Sequence, residues 1–131
     1  MTTRRAGRAR LKLLFVCSRN RWRSPTGEEV FRRRGLDTRS VGTSPHARRS
    51  VTADDLRWAD VVLVMEAKHR QQLRARYARL LEHKPLHVLR IRDLYRPMDP
   101  ELVSLLCARV EPILAALETD APSSHASDDE R

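Results

Sequence analysis

The chain of 131 residues reads as an α/β protein, a three-layer sandwich in which a four-stranded parallel sheet carries helices on both faces. Short apolar runs alternate with helical patterns along residues 11–117, and such repetition implies right-handed crossovers and parallel strands. The length suits one domain with its own core and is too small for two. Apolar residues make up 40% of the chain and charged residues 33%, with 7 Pro and 4 Gly, the profile of a globular protein rather than a fibre or a membrane span.

Leu11 to Val16, broken only by Lys12, predicts a first buried strand. A helix from Pro25 to Arg34 follows, with Ser24 expected as its N-cap, Pro25 at its first position, and Glu28 and Glu29 in its first turns. Thr38 to Val41 gives a second strand ending at Gly42. Thr52 then caps a short helix, with Asp55 three residues on as a variant of the capping box. Val61 to Val64 is the third strand and the most β-branched. Residues 67–82 place Leu73, Tyr77, Leu80 and Leu81 at helical spacing, Leu86 to Leu89 is a fourth strand, and Pro100 to Leu117 is a closing helix. In such a βαβαβαβα order the ligand site lies at the carboxyl ends of the strands, which directs attention to Cys17.

Residues 1–10 carry four Arg without apolar periodicity, and residues 118–131 are rich in Ser, Asp and Glu, so both ends are expected to be disordered around a domain of residues 11–117. The net charge of +9 comes from 26 basic and 17 acidic residues, and only Lys12, Lys68 and Lys84 of the basic ones are not Arg. An anionic partner is expected, although an Arg bias of this size also follows from genomic base composition. The two Cys, Cys17 and Cys107, form no CxxC pair, so neither a disulfide framework nor a zinc knuckle is indicated. With no export signal in the apolar run of the first strand, the cytoplasm is the expected compartment.

Between the first strand and the first helix stands Cys17-Ser18-Arg19-Asn20-Arg21-Trp22-Arg23-Ser24. A loop entering a helix N-terminus turns backbone N–H groups toward one point and, with the helix dipole, makes a concave anion site. Phosphate or sulfate is its natural occupant. The same field stabilises a thiolate at Cys17, and Arg23 can fork two N–H groups onto two oxygens of the anion. Alone, Cys17 would read as a small hydrophobe ending a strand. Cys, Arg and Ser-Pro at this spacing at a strand-to-helix turn favour the chemical reading.

The stretch VCSRNRWRSPTGEEVFR resembles the active-site segment of the low-molecular-weight protein tyrosine phosphatases. Ser40-Val41-Gly42-Thr43, the pattern His46-x-x-Arg49-x-x-Thr52-x-x-Asp55, the run Ala59 to Met65 and Asp93-Leu94-Tyr95 are similar to further segments of that family, so the resemblance covers roughly residues 12–117. It implies the same fold and a cysteine-dependent phosphomonoester hydrolase without metal or cofactor. Cys17 would attack phosphorus while Arg23 and the loop residues Ser18, Arg19, Asn20, Arg21, Trp22 and Ser24 hold the phosphate. Asp93 would act as acid and then base, Ser24 would hydrogen-bond the departing thiolate, and Asn20 would take the left-handed conformation. Ser40 and His46 would support the loop through Asn20 or Ser24, and Tyr95 would stack on an aromatic leaving group. The implied partner is a phosphorylated protein or a small aryl phosphate.

The chain departs from the family pattern in four places. Arg19 stands where a Gly is usual, Trp22 where a second Cys is frequent, and Leu94 where a Pro follows the acid. The segment between Gly42 and Thr52 is also much shorter, which predicts a more open site. Asp99 is a rival to Asp93, yet Asp99-Pro100-Glu101 already reads as the cap and first turn of the last helix. His69, His83 and His87 have no ligand-like pairing and are assigned no role. Two competing readings are an arsenate reductase using a small-molecule thiol and a non-catalytic phosphate binder. No recognition helix or aromatic-studded strand pair points to nucleic acid.

Overall fold

A computed structural model describes residues 11–123. Composition predicts disorder for residues 1–10 and 118–131; of these, residues 1–10 and 124–131 lie outside the described residues, while 118–123 continue the last helix. The elements follow the expected order: β1 (Lys12–Cys17), α1 (Arg23–Arg32), β2 (Asp37–Gly42), α2 (Ala53–Trp58), β3 (Val61–Val64), α3 (Ala67–Leu81), β4 (Leu86–Val88) and α4 (Pro100–Ser123). The strands pair in parallel in the order β2-β1-β3-β4.

The alternation of side chains along β1 creates the three layers. Leu13, Phe15 and Cys17 join Phe31 of α1 and Leu102, Leu106 and Val110 of α4 in one buried cluster. Leu14 and Val16 face the other way, with Leu56 of α2 and Leu73 and Leu81 of α3. Each fully buried Leu, Val or Phe is worth roughly 1.5–3 kcal/mol of transfer free energy, so β1, apolar on both faces, is the centre of the fold. β1 is also where the chain's direction across the sheet reverses, with β2 on one side and β3 on the other. A crevice therefore opens at its carboxyl end, directly at Cys17.

Two expectations about helix ends are corrected. α1 starts at Arg23, with Trp22 at the N-cap and no side-chain capping bond, because the Ser24 hydroxyl is occupied inside the site described below. α4 continues through Ser123 instead of stopping at Leu117. Residues 118–121 contain neither Gly nor Pro, Pro122 falls only in the final turn, and a polar composition does not by itself end a helix. The capping box of α2 forms as expected: Thr52 Oγ1 accepts from Asp55 N (3.2 Å), and Asp55 Oδ2 accepts from Thr52 N (2.9 Å). Among the described residues no helix is long and apolar enough to cross a membrane.

Gly27 lets α1 lie directly on β1. A Cβ at Gly27 would stand 2.6 Å from Phe15 Cδ1 and 2.9 Å from Phe15 Cγ. That ring is fully buried and stacked on Phe31 at 5.8 Å between centroids, so it has no room to retreat. Alanine gains about 1 kcal/mol of helix propensity over glycine, while overpacking a tight core costs roughly 1–3 kcal/mol. Gly27→Ala is therefore expected to lower stability in urea denaturation, and a more stable variant would show that α1 can shift off β1.

Candidate active site

The loop of residues 17–23 owes its shape to where its carbonyl groups go. Cys17 O accepts from Thr43 N (2.9 Å), Ser18 O from Ser44 N (3.0 Å) and Arg19 O from Arg48 N (3.0 Å). Asn20 O accepts from Arg48 Nε at 3.0 Å. Four successive carbonyls are thus tied to the segment after β2, which turns the neighbouring amides toward the inside of the loop. Asn20 makes the reversal with φ 57°, a left-handed conformation that Asn tolerates better than other non-glycine residues. Gly42 permits the close approach, since a Cβ there would meet Ser18 O at 2.5 Å and Ala47 Cβ at 2.6 Å. The supporting segment is itself anchored: Arg49 Nη2 reaches Asp55 Oδ1 at 3.0 Å, and Asp55 is buried.

Inside the loop lies the buried Cys17 thiol. Asn20 N donates to Cys17 Sγ at 3.2 Å, and Ser24 Oγ stands 2.9 Å from the same sulfur. Ser24 Oγ also accepts from Asn20 Nδ2 (2.9 Å) and reaches Val41 O at 3.3 Å. The serine proton therefore has two destinations, the carbonyl of Val41 when the sulfur is protonated and the sulfur itself when it is a thiolate.

Arg23 closes the loop and is buried. Its Nη1 donates to Glu66 Oε2 (2.5 Å) and to Ile91 O (2.7 Å). One nitrogen thus fixes the guanidinium, leaving the Nε and Nη2 edge as a fork for two oxygens of an anion. Asp93 Oδ1 lies 3.7 Å from Arg23 Nε. Burial works to raise the Glu66 carboxyl, but the hydrogen bond and charge of Arg23, with Lys68 and His69, hold it below its ordinary value.

His69, assigned no role from the sequence, is fully buried and belongs to the same framework. Its Nδ1 accepts from Glu66 N (3.0 Å), which places the ring proton on Nε2, and Nε2 then donates to Ser18 Oγ (2.9 Å). Burial first, then the positive charge of Arg23, lower the His69 pKa to about 4, so the ring is neutral at neutral pH. Both ends of the loop, Ser18 and Arg23, are thereby tied to the first turn of α3. The available signal was a Glu and a His three apart at a helix start, just after the third strand.

Cys17, Arg19, Arg21, Trp22, Arg23 and Asp93 line one cavity of about 300 Å³. Three expected site residues stand elsewhere. Ser40 Oγ donates to Glu28 Oε1 at 2.5 Å rather than to Asn20 or Ser24. It pairs with Phe15 in the sheet and so shares the face covered by α1. His46 is exposed at the tip of the short segment, where its backbone N donates to Ser44 Oγ, and Arg48 makes the contact to Asn20 instead. Asn20 Oδ1, buried, has no hydrogen-bond partner among the described residues. Tyr95 packs half-buried against the Leu13 and Phe15 cluster instead of lining the cavity. Asp99 caps α4, its Oδ1 accepting from Glu101 N at 2.8 Å. Among the described residues no group of three or more His, Cys, Asp and Glu side chains could hold a metal ion.

Neither a protein-family model nor a curated protein matches the chain. Solved structures do. The YwlE arginine phosphatase from Geobacillus stearothermophilus superposes with a TM-score of 0.65 at 18% identity, covering 88% of this chain and 98% of its own. The tyrosine phosphatase Wzb from Escherichia coli K30, in complex with phosphate, gives 0.66 at 22% identity over 81% of this chain and 97% of its own. A low-molecular-weight protein tyrosine phosphatase from T. tengcongensis gives 0.64 at 18%, covering 82% and 99%. The chain has the fold of these low-molecular-weight phosphatases.

A neutral buried His69 ties stability to pH. The unfolded ring protonates below about pH 6.5 while the folded ring resists until about 4, so its contribution is full above 6.5 and is lost as pH falls toward 4. The Tm difference between the wild type and His69→Gln is expected to be constant above pH 6.5 and to shrink below it. A difference independent of pH would contradict the neutral buried ring.

Proposed function

We propose that the chain is a cysteine-dependent phosphomonoester hydrolase that works through a phospho-cysteine intermediate. The observation that supports this best is Cys17 Sγ between Asn20 N at 3.2 Å and Ser24 Oγ at 2.9 Å, in a cavity that also holds Arg23 and Asp93. The inward amides and the Arg23 fork bind the phosphate oxygens and stabilise them as the phosphoryl group flattens in transfer. Cys17 attacks phosphorus, an S–P bond forms, and the bond to the leaving oxygen breaks as Asp93 protonates that oxygen. Asp93 then takes a proton from the water that attacks the phospho-cysteine. The S–P bond breaks, and Ser24 turns its proton from Val41 O to the departing thiolate.

The structural neighbours support phosphatase chemistry over the alternatives. Besides those above, a YwlE mutant carries a phosphorylated active-site serine. A thiol relay within the chain gains no support from Cys107, whose Sγ lies 3.4 Å from Arg34 Nη2, beyond the end of α1 opposite the cavity. The substrate class we propose is an aryl phosphate such as phosphotyrosine in a protein. Both cysteines are free, in keeping with the cytoplasm as the compartment.

Hydrolysis of p-nitrophenyl phosphate tests the proposal. Cys17→Ser should abolish it, and Asp93→Asn should lower kcat by about 10²–10⁴-fold. Asp99→Asn should leave kcat near wild type, because Asn caps a helix as well as Asp. Wild-type rates in Cys17→Ser would refute the mechanism, and a larger loss in Asp99→Asn than in Asp93→Asn would move the acid to Asp99.

A further inference from the structure

We propose that Arg19, Arg21 and Trp22 make the mouth of the cavity selective for a phosphotyrosyl segment with carboxylates beside the phosphorylated residue. This rests on the phosphatase reading of the same site and adds a choice among substrates.

One phosphate does not require three arginines. The fork of Arg23 and the inward amides already supply donors for its oxygens, yet Arg19 and Arg21 line the same cavity, exposed, and form no ion pair among the described residues. Several cations elsewhere in the chain are committed to partners. Arg23 is paired with Glu66 and Asp93, and Arg39 and Arg49 share Asp55. Two unpaired guanidinium groups at the rim are free for acceptors beyond the phosphate, and carboxylates on neighbouring residues of a peptide are the nearest anions.

Trp22 supplies the ring wall. It is 43% exposed and lines the cavity, while Tyr95 is packed against the core and the short segment after β2 turns its tip outward. Its backbone is held, since Trp22 O accepts from Thr26 N (3.2 Å) and from Thr26 Oγ1 (2.7 Å). Elsewhere in this chain guanidinium groups cover aromatic faces: Arg39 on Trp58 at 4.3 Å, Arg34 on Phe31 at 5.0 Å and Arg76 on Tyr77 at 5.1 Å. Among the described residues no cation covers Trp22, which leaves its face open for the ring of a leaving group. A phosphorylated guanidinium suits this mouth poorly, because it would bring a cation between Arg19 and Arg21.

The test compares kcat/KM on two peptides carrying the same phosphotyrosine, one flanked by Asp and Glu and the other by Asn and Gln. Chemistry at phosphorus cancels in their ratio. The wild type should prefer the acidic peptide by roughly 2–30-fold, as expected for two exposed charge contacts, and the preference should fall as salt is raised. Arg19→Gln combined with Arg21→Gln should bring the ratio near one, and Trp22→Ala should lower kcat/KM on both peptides. A wild-type ratio of one, or a ratio unchanged in the double variant, would overturn the proposal. So would stronger competition by short random-sequence DNA than by the acidic peptide, which would assign the arginines to nucleic acid. If the wild type cleaves neither peptide nor p-nitrophenyl phosphate, the phosphatase reading fails and this one with it.

Discussion

The peptide planes of residues 17–20 cannot rotate independently of the segment that follows β2. Each carbonyl from Cys17 to Asn20 is taken by a donor from Thr43, Ser44 or Arg48, and the inward direction of the amides follows. An anion site built in this way needs no rearrangement when a ligand arrives, because the cost of aligning the dipoles was met during folding. Gly42 is the steric condition for the arrangement, since a side chain there would push the two segments apart at Ser18 O. The site is therefore a product of how closely β1 and β2 end beside one another.

A second restraint comes from across the sheet. The first turn of α3 holds Arg23 through Glu66 and Ser18 through His69, while the two residues bind each other in a reciprocal cap. Loop geometry and the charge balance of Arg23 consequently depend on the same turn. The β1–β3 pairing sets the distance between them, and the apolar runs of both strands, buried on two faces, hold that pairing in place.

Much of this was legible in the sequence. Alternating apolar runs and helical patterns announced the strand and helix order, and the spacing of Cys17, Arg23 and Ser24 marked the loop, because both are local signals. Contacts made across the fold were not legible. Glu66, His69 and Arg48 lie far along the chain from the loop they hold, and each looks like an ordinary surface residue when read alone. Ser24 reads as a helix cap until the competing sulfur is in place. Ser40 was expected at the loop, but its position opposite Phe15 sends it to α1, and the shortened segment after Gly42 carries His46 outward.

The central claim is that Cys17 in this cradle becomes covalently phosphorylated during turnover. Rapid quenching of the wild-type protein mixed with p-nitrophenyl phosphate, followed by mass analysis of its peptides, tests it directly. A phosphoryl group bound to the sulfur of Cys17, present during turnover and lost as substrate is consumed, is the predicted result. Turnover without any phosphoryl group on Cys17, or with one on another residue, would contradict the account.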